Sequence, residues 1–429
     1  MLATASAFAA NPITPEGEFL SDPAPRTGPD GTLYVFGSRD ARTTGGAYCT
    51  HFNDVFETRD LRSWTVRRGV LASLGANDGV PASDAPLYAP DAMFHNGRWH
   101  IFYCMPDKSH REGVASADTP SGPFKTSFAY PWAKQIDPSA FRDDDGTVYY
   151  FWGQFSAKGA VLKSDLSGIE PGTIHSGVID EARHNFHEGI QLTKRGGVYY
   201  LVFADVSRHG RPTCIGYATA ANVFGPYAYR GVIIDNFGCD PGVWNNHGSV
   251  VQFKDQWYVF YHRSSQGSNI MRQTCAEPIE ILPDGTIPEV EMTSTGAGKP
   301  LDPYLAIGSD PIAARACYLT GHARIDKDHR LSEIRDYDTA AWRDFDFKDG
   351  PRRMILSVYP EAGGMIYVYS EYLYGDHVAT FKVPAGDGKT LITLEAEVGT
   401  DLQGVKPIRM RFHGDKDKNL FTINAFRFE

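Results

Sequence analysis

The 429-residue sequence predicts an all-β protein, with a five-bladed β-propeller over residues 11–300 and a β-sandwich (jelly-roll) domain over residues 312–429. Three observations support this prediction. Aromatic residues make up 13% of the chain, 43 Gly and 27 Pro favour short strands bounded by turns, and one strand-like segment recurs five times. Residues 301–311, between the two predicted domains, are interpreted as a linker.

Each repeat joins a turn containing Gly or Asp to a run of aromatic and β-branched residues, as in GTVYYFWG. Such a run after a turn is typical of the second strand of a hairpin. The runs begin 49 to 66 residues apart, at Gly31, Gly97, Gly146, Gly197 and Asp255. This period is close to that of propeller blades, in which small sheets around a central axis leave only short edges.

An ionisable residue precedes each run by six to nine positions. In chain order these residues are Asp22, Asp91, Asp137, Glu188 and His247. The first strand of each blade lines the central channel, so we expect these residues to converge at one end of it. Any one of them alone is explained by turn formation in Asp-Pro or Asn-His-Gly. An acid or a His that recurs at one phase of all five repeats instead indicates a site whose pKa values are tuned for chemistry.

On these motifs the sequence resembles glycoside hydrolase family 43 over roughly residues 11–300. The segments that carry the resemblance are LSDPAPRTGPDGTLYVFGS, LYAPDAMFHNGRWHIFY, QIDPSAFRDDDGTVYYFWG, FHEGIQLTKRGGVYYLVFA and NNHGSVVQFKDQWYVFYH. The resemblance implies an inverting glycosidase with Asp22 as general base, Glu188 as general acid and Asp137 as the carboxylate that tunes and orients the acid. Inversion requires acid and base about 6.5 to 9.5 Å apart, which leaves room for a water.

Further residues are expected to contact the substrate. His247 matches the family's central histidine, which contacts substrate or a metal, and Arg272 resembles the family's arginine near the acid. Trp244 is the best candidate for stacking on a sugar, and packing between blades is the alternative. The remaining expected substrate-binding residues are Asp91, Phe186, His187 and Tyr88.

Calcium is the expected cofactor, either in the channel near His247 or in the sandwich, and no organic cofactor is expected. The DDDG segment at 143–146 is interpreted as a hairpin turn because it lacks the alternating ligands of an EF-hand. The six Cys are too few for a disulfide scaffold in a chain of this length, and we expect buried thiols with at most one bridge.

The C-terminal residues contain short alternating strands with polar turns, which is typical of a β-sandwich. They resemble carbohydrate-binding module family 6 through AWRDFDF, GGMIYVYS and LFTINAFRF. Thr422 and Ala340 stand where that family usually has a sugar-binding Asn and an aromatic residue. Tyr337 and Tyr374 could replace them as stacking residues, and a docked structural module is the alternative.

Charge and hydropathy limit the partners. The chain has 42 Lys+Arg against 52 Asp+Glu, a net charge of −10, and no basic run, so a nucleic-acid partner is not expected. The sequence contains no stretch of about 18 apolar residues, so it predicts no membrane span. Residues 1–10, MLATASAFAA, resemble the end of a signal peptide, which predicts a secreted or periplasmic protein; a disordered N-terminus is the alternative. A chain of this size is expected to act as a monomer.

The leading hypothesis is an exo-acting α-L-arabinofuranosidase on arabinoxylan or arabinan. A β-xylosidase or an exo-β-1,3-galactosidase is the alternative within the family, because specificity depends on loop residues. Retaining invertase-like enzymes fit less well, since Asp22 lies in Ser-Asp-Pro-Ala and not in Asn-Asp-Pro-Asn. A non-catalytic glycan-binding propeller is the alternative from another class of protein.

Overall fold

The computed structural model describes residues 10–15, 17–42, 48–108, 111–305, 312–348, 350–399 and 402–429. These residues form seven antiparallel sheets, five in succession along residues 20–279 and two in the C-terminal part. The predicted all-β class, with a five-bladed propeller and a C-terminal sandwich, is confirmed. Within the described ranges, no helix has the length and apolar character needed to cross a membrane. The predicted signal-peptide remnant and linker include residues 1–9 and 306–311, which lie outside the described residues.

The first four propeller sheets each contain four strands that pair in chain order. The first two sheets contain β1 (Leu20–Thr27), β2 (Leu33–Arg39), β3 (Phe52–Thr58), β4 (Thr65–Ala72), β5 (Tyr88–His95), β6 (Arg98–Cys104), β7 (Glu112–Ala117) and β8 (Lys125–Ala129). The next two contain β9 (Ser139–Arg142), β10 (Val148–Trp152), β11 (Ser156–Leu162), β12 (His175–Asp180), β13 (Phe186–Arg195), β14 (Val198–Asp205), β15 (Cys214–Ala220) and β16 (Ala228–Asp235), with the short helix α1 (Glu181–His184) before β13.

The fifth sheet has three described strands, β17 (Ser249–Phe253), β18 (Gln256–Ser265) and β19 (Ser268–Ile279). The ring is visible in the contacts of the first strand of each sheet. Strand β1 contacts β5, β5 contacts β9, β9 contacts β13, β13 contacts β17, and β17 contacts β1 again. The starts of all five first strands therefore surround one axis, as the repeat pattern predicts.

Aromatic side chains from the repeats fill the space between neighbouring sheets. Tyr34 and Phe36 of β2 pack against Trp99 of β6, with ring centroids 5.0 and 5.6 Å apart. All three are buried, and fully burying one such side chain contributes about 1.5 to 3 kcal/mol. The aromatic runs that mark the repeats in the sequence thus hold adjacent blades together.

Two expectations about local chemistry are confirmed. The DDDG segment is the turn between β9 and β10, in which Asp143 N–H donates to the Thr147 carbonyl at 2.9 Å and Gly146 N–H donates to the Asp143 carbonyl at 2.9 Å. The six cysteines, all among the described residues, are buried free thiols.

The C-terminal sandwich contains two five-stranded sheets. One has the order β20-β23-β28-β25-β26 and the other β21-β22-β29-β24-β27. Their strands are β20 (Tyr318–Thr320), β21 (Arg324–Ile325), β22 (Leu331–Ser332), β23 (Thr339–Asp346), β24 (Arg353–Pro360), β25 (Gly364–Tyr369), β26 (Ala379–Val383), β27 (Ile392–Glu397), β28 (Val405–Gly414) and β29 (Phe421–Phe428). Trp342 is fully buried in their core, and its indole N–H donates to the Ile312 carbonyl at 2.7 Å.

The sandwich contacts both the loop between β16 and β17 and the segment after β19. Leu319 N–H donates to the Gly238 carbonyl of the loop at 2.7 Å, and Arg343 N–H donates to Ser294 Oγ of the later segment at 3.1 Å. Cys317 lies in the same apolar cluster as side chains of β14, β15 and β18. The loop contacted by the sandwich also carries Trp244 and His247, so the second domain supports one side of the predicted site.

The N-terminal segment closes the ring against β19. Ile13 N–H donates to the Thr274 carbonyl at 2.9 Å. The fully buried Asn11 donates from Nδ2 to Glu277 Oε1 at 2.7 Å and accepts at Oδ1 from Ala276 N–H at 3.0 Å. One amide side chain thus satisfies polar groups of the last propeller strand that water does not reach.

We predict that Asn11→Ala lowers the free energy of unfolding by about 1 to 3 kcal/mol, the cost of leaving buried polar partners unsatisfied. Chemical denaturation followed by circular dichroism measures the change. The exposed Asn77→Ala is the control, expected to leave stability within about 0.5 kcal/mol of the parent. Equal effects of the two substitutions would contradict the closing role of Asn11.

Candidate active site

A cavity of about 500 Å³ lies at the end of the channel where the first strands begin. Eight of the ten site residues predicted from the sequence line this cavity. They are Asp22, Tyr88, Asp137, His187, Glu188, Trp244, His247 and Arg272. The structure therefore brings together carboxylates that are more than 100 residues apart in the chain.

Irregular backbone turns the acidic side chains toward the cavity. The register of β1 shifts at Asp22, whose φ is 54°, and Asp137 has a φ of 59° before β9. In β13 the pairing shifts on both sides of Glu188. Bulges re-aim side chains, and Asp tolerates the left-handed region better than most residues. Such strain is found at functional sites, where surrounding structure maintains it.

The Asp22 carboxylate is buried and paired with positive charge. Arg272 Nη1 donates to Asp22 Oδ1 at 3.0 Å, and the Nδ1 atoms of His247 and His262 lie 3.8 and 3.6 Å from the same oxygen. Burial acts to raise the pKa of Asp22, but the Arg272 guanidinium holds that pKa below its usual range. Asp22 is therefore ionised at neutral pH and able to act as a base.

His262 holds the backbone of Asp22. The Asp22 N–H donates to His262 Nδ1 at 3.3 Å, which places the ring proton on Nε2, where it is donated to Asn245 Oδ1 at 2.7 Å. Burial, followed by the charge of Arg272, lowers the pKa of His262 well below its usual value. A neutral His262 thus positions the base as a hydrogen-bond partner.

Arg272 bridges two buried carboxylates. Its Nε and Nη2 donate to Asp40 at 2.7 and 2.9 Å, while Nη1 donates to Asp22. The sequence resemblance predicts this arginine near the acid, Glu188; Arg272 lines the same cavity as Glu188, and its guanidinium donates to Asp22 and Asp40. Strand β19, which carries Arg272, contacts β1, so the guanidinium reaches the side of the cavity that holds Asp22.

Asp137 and Glu188 form the other half of the acidic cluster. Burial first, and then the Glu188 carboxylate, raise the pKa of Asp137 well above its usual value. Gln154 Nε2 donates to Glu188 Oε2 at 2.7 Å, and 25% of the Glu188 side chain is exposed against 7% for Asp137. Because simultaneous ionisation is costly, this pair retains a proton to higher pH than an isolated carboxyl group does.

His247 lies between the two halves of the cluster. Its Nδ1 is 3.8 Å from Asp22 Oδ1 and 3.9 Å from Asp137 Oδ2. Gly189, with a φ of 72°, allows this approach, because a Cβ there would lie 3.0 Å from the His247 ring. The close contact between β13 and the loop before β17 therefore depends on a residue without a side chain.

Aromatic and polar residues complete the wall of the cavity. His187 Nδ1–H donates to Glu181 Oε2 at 3.0 Å, which fixes the ring beside Glu188. Trp244 lines the cavity, and the Arg211 guanidinium lies 4.0 Å from the centre of its ring. One face of Trp244 is thus already covered by a cation, so only its remaining surface is open to a sugar.

Two predicted substrate-binding residues do not line the cavity. Asp91 is buried and accepts hydrogen bonds from Arg26 of β1 and from Ser139 Oγ at 3.1 Å, so its carboxylate joins three blades. Phe186 is fully buried and packs edge-on against Phe203 at 5.6 Å. Neither residue is therefore placed to contact the substrate. The Asp91 carboxylate is occupied by hydrogen bonds between blades, and Phe186 points away from the channel at the register shift before Glu188.

The sequence reasoning missed Asp40, Gln154 and His262. Asp40 and Gln154 lie just after the second strand of their repeats, and His262 lies in the C-terminal half of the second strand of the fifth repeat. That strand runs antiparallel to the first, so its end returns to the face of the propeller where the first strand begins. Polar residues at the ends of the repeated aromatic runs are the signal that could have identified them.

The donors in the channel do not fit a directly bound divalent cation. Within the described ranges, no group of three or more His, Cys, Asp or Glu side chains is arranged to hold a metal. Asp22, the nearest carboxylate to His247, is already paired with Arg272. Calcium near His247 or in the sandwich stays a prediction, and no step derived below passes through a metal.

A propeller channel that combines one carboxylate held ionised with a second acidic pair that retains a proton is the arrangement of a glycosidase. The chain belongs to glycosyl hydrolases family 43, whose family model matches residues 10–287. Relatives agree with this assignment. A "Xylosidase/arabinosidase" from Thermoclostridium stercorarium is 32% identical over 68% of this chain and 68% of its own length.

Other relatives extend into the C-terminal domain. An "Arabinoxylan arabinofuranohydrolase" from Paenibacillus polymyxa is 26% identical over 93% of this chain and 71% of its own length. Among solved structures, a family 43 arabinoxylan arabinofuranohydrolase from Bacillus subtilis in complex with cellotetraose superposes with a TM-score of 0.57 at 24% identity, covering 98% of this chain and 97% of its own. A β-xylosidase/α-arabinofuranosidase from a compost microbial metagenome, in complex with xylotriose, gives 0.57 at 26% identity over 67% of this chain and 98% of its own.

We predict that Arg272→Gln raises the pKa of Asp22, because burial is then no longer opposed by the guanidinium. The lowered pKa keeps Asp22 ionised as the pH falls. Without the charge of Arg272, Asp22 is protonated at a higher pH, and the acidic limb of the kcat/KM profile moves to higher pH. The profile is measured with 4-nitrophenyl glycosides, and circular dichroism checks that the variant is folded. Arg272→Lys, which keeps the charge, is expected to leave the limb near its original position; an equal displacement in both variants would contradict the electrostatic explanation.

Proposed function

We propose that this glycoside hydrolase is an exo-acting, inverting α-L-arabinofuranosidase that removes single arabinose branches from arabinoxylan. The observation that carries the catalytic part is the placement of three carboxylates, Asp22, Asp137 and Glu188, around one cavity, with Arg272 donating to Asp22 and, among the described residues, no such cation beside Asp137, whose pKa burial raises. The substrate is supported by the relatives that span both domains, which are named arabinoxylan arabinofuranohydrolases.

In the proposed reaction, Asp22 accepts a proton from a water as that water attacks the anomeric carbon. Glu188 donates its proton to the leaving oxygen on the opposite side, which gives inversion in a single displacement. Glu188 suits the acid role because it is the more exposed member of the pair and therefore accessible to the leaving group. Asp137, which lines the same cavity, is proposed to orient Glu188 for this transfer.

The neighbours of these carboxylates have positioning roles in the proposal. Arg272 keeps Asp22 ionised, and Asp40 holds Arg272 in place. Gln154 donates to one oxygen of Glu188, which orients the acid. Exo action is supported by burial: Asp22 and Asp137 are 5% and 6% exposed, so a sugar must enter the cavity to reach them, which a branch or a chain end can do.

A β-xylosidase is the second candidate. The relative with 32% identity bears the name "Xylosidase/arabinosidase", and its match covers 68% of this chain. Both activities use the same acid and base, so the choice between them depends on the residues that surround the bound sugar. Comparing kcat/KM on 4-nitrophenyl α-L-arabinofuranoside and β-D-xylopyranoside separates the two, and proton NMR of the first product shows whether the configuration inverts.

We further propose that the protein acts as a monomer outside the cytoplasm, secreted or periplasmic, because a cell-wall polysaccharide is too large to enter the cell. The sandwich is proposed to bind glycan in the manner of carbohydrate-binding module family 6. Its support is exposed aromatic surface. Tyr372 and Tyr374 stack on each other with centroids 5.3 Å apart and are 62% and 73% exposed, and Tyr337 is 70% exposed.

We predict that Glu188→Gln lowers kcat on arabinoxylan by about 10² to 10⁴, the usual contribution of general acid catalysis. The loss is expected to be much smaller on 4-nitrophenyl α-L-arabinofuranoside, because nitrophenolate leaves without protonation. Glu170→Gln, remote from the cavity on an exposed turn, is the matched control and should retain full activity. Equal losses on both substrates would remove Glu188 from the acid role.

For the sandwich, we predict that replacing both Tyr372 and Tyr374 with Ala in the full chain weakens retention on insoluble arabinoxylan about tenfold, since each exposed ring offers stacking surface to a sugar. Retention is measured by pull-down with the Glu188→Gln background, which prevents hydrolysis. Replacement of the exposed Leu391 by Ala is the control. Unchanged retention would favour a purely structural module.

A further inference from the structure

A second cavity, of about 370 Å³, lies where the propeller meets the sandwich. We call it the junction cavity. Its lining includes Arg208, His209, Asp235 and Phe237 from the fourth blade and the following loop, and Tyr318 from the first strand of the sandwich. It is separate from the catalytic cavity, and the mechanism proposed above does not use it.

A continuous series of side chains, here called the ring path, connects the two cavities. The Arg211 guanidinium lies 4.0 Å from the centre of the Trp244 ring, and both residues line the catalytic cavity. Trp244 meets Phe237 edge-to-face at 4.6 Å, and Phe237 stacks on His209 at 4.0 Å with the ring planes 11° apart. The path therefore begins at the catalytic cavity and ends in the junction cavity.

Phe237 remains exposed to solvent although its ring packs against both His209 and Trp244. One face of its ring is covered by His209, yet 43% of the residue is exposed. Its backbone N–H donates to Asp235 Oδ1 at 2.8 Å, which fixes the turn that presents the ring. An exposed aromatic surface that is rigidly held, and that continues from an active site, indicates a binding surface.

The charged side chains of the junction cavity are paired with one another. Arg208 donates to both oxygens of Glu289 at 2.6 and 2.8 Å, His209 Nε2 lies 3.2 Å from Asp235 Oδ2, and Glu291 pairs with Arg343. Arg208 and Arg343 are both paired with carboxylates, so the described lining offers polar atoms to hydroxyl groups and no unpaired cation to an anionic ligand. The ligand that suits aromatic faces bordered by paired charges is an uncharged saccharide.

We propose that the ring path and the junction cavity bind the β-1,4-linked xylose main chain of arabinoxylan while one arabinose branch occupies the catalytic cavity. This inference rests on the proposed function, which requires a branch to enter and the main chain to remain outside. The C–H faces of the xylose residues pack on Phe237 and Trp244, and their hydroxyls meet the rim of paired charges. Tyr318 brings the sandwich into the same surface, so main-chain binding involves both domains.

The test compares two substrates in one variant. For Phe237→Ala, the ratio of kcat/KM on arabinoxylan to kcat/KM on 4-nitrophenyl α-L-arabinofuranoside is expected to fall about tenfold, because only the polymer reaches Phe237. Loosening of Trp244 inside the catalytic cavity lowers kcat/KM on both substrates, so a fall in the ratio reports the contacts that the main chain makes with Phe237 and Trp244 outside that cavity. His209→Ala, which leaves Trp244 untouched, is expected to lower the ratio as well. Phe128→Ala, an exposed aromatic residue on β8 that is 37% exposed, is the matched control with an unchanged ratio.

A binding measurement separates failure of this inference from failure of the proposed function. Unbranched xylohexaose is titrated calorimetrically into the full chain carrying Glu188→Gln, with and without Phe237→Ala. A dissociation constant raised about tenfold by Phe237→Ala, but not by Phe128→Ala, supports the main-chain site whichever branch sugar the enzyme removes. Equal affinities in all three proteins, or no binding of xylohexaose, would overturn it; lack of activity on the arabinofuranoside would overturn the proposed function alone.

Discussion

The bridge that Arg272 forms between Asp22 and Asp40 is the interaction on which the active site depends. Two carboxylates buried at the same place repel each other and lose hydration, and a planar guanidinium with several donors compensates both losses. The guanidinium holds the pKa of Asp22 below its usual range, so an ionised carboxylate faces the cavity, whereas Asp40, whose pKa is raised by burial, is fully enclosed.

The propeller makes this bridge possible by bringing distant strands to one axis. Asp22 comes from the first strand of the ring and Arg272 from the last, and they meet only because β1 and β19 are in contact. Asp137 and Glu188 come from the third and fourth blades, and His247 lies between them and Asp22. The pKa values of the site therefore depend on the closed ring, because Arg272 acts on Asp22 and Glu188 acts on Asp137 from a different blade in each case.

The repeated runs of aromatic residues predicted the five blades, and the phase of the acids within the repeats predicted the cavity and most of its lining. Asp91 shows the limit of that reasoning, since its position in the repeat is equivalent to that of Asp22. Arg26 on the neighbouring strand captures its carboxylate, and such a contact between blades leaves no trace in local sequence. The side of the cavity that Arg272 occupies was likewise not predictable, because it depends on how the ends of the ring meet. Gln154, by contrast, could have been predicted from the repeats, because it follows the end of a repeated aromatic run.

The hydrogen bonds between Asn11 and the strand that ends the propeller also bear on how the protein is made. Their partners are separated by more than 260 residues. During synthesis the first blade is translated long before the last, so Asn11 has no hydrogen-bond partners from β19 until that strand has been made. Contacts this remote in sequence slow folding and prolong the life of incomplete intermediates. Biogenesis of the enzyme thus includes an extended interval in which an open arc of blades is vulnerable to chaperone capture, proteolysis or self-association.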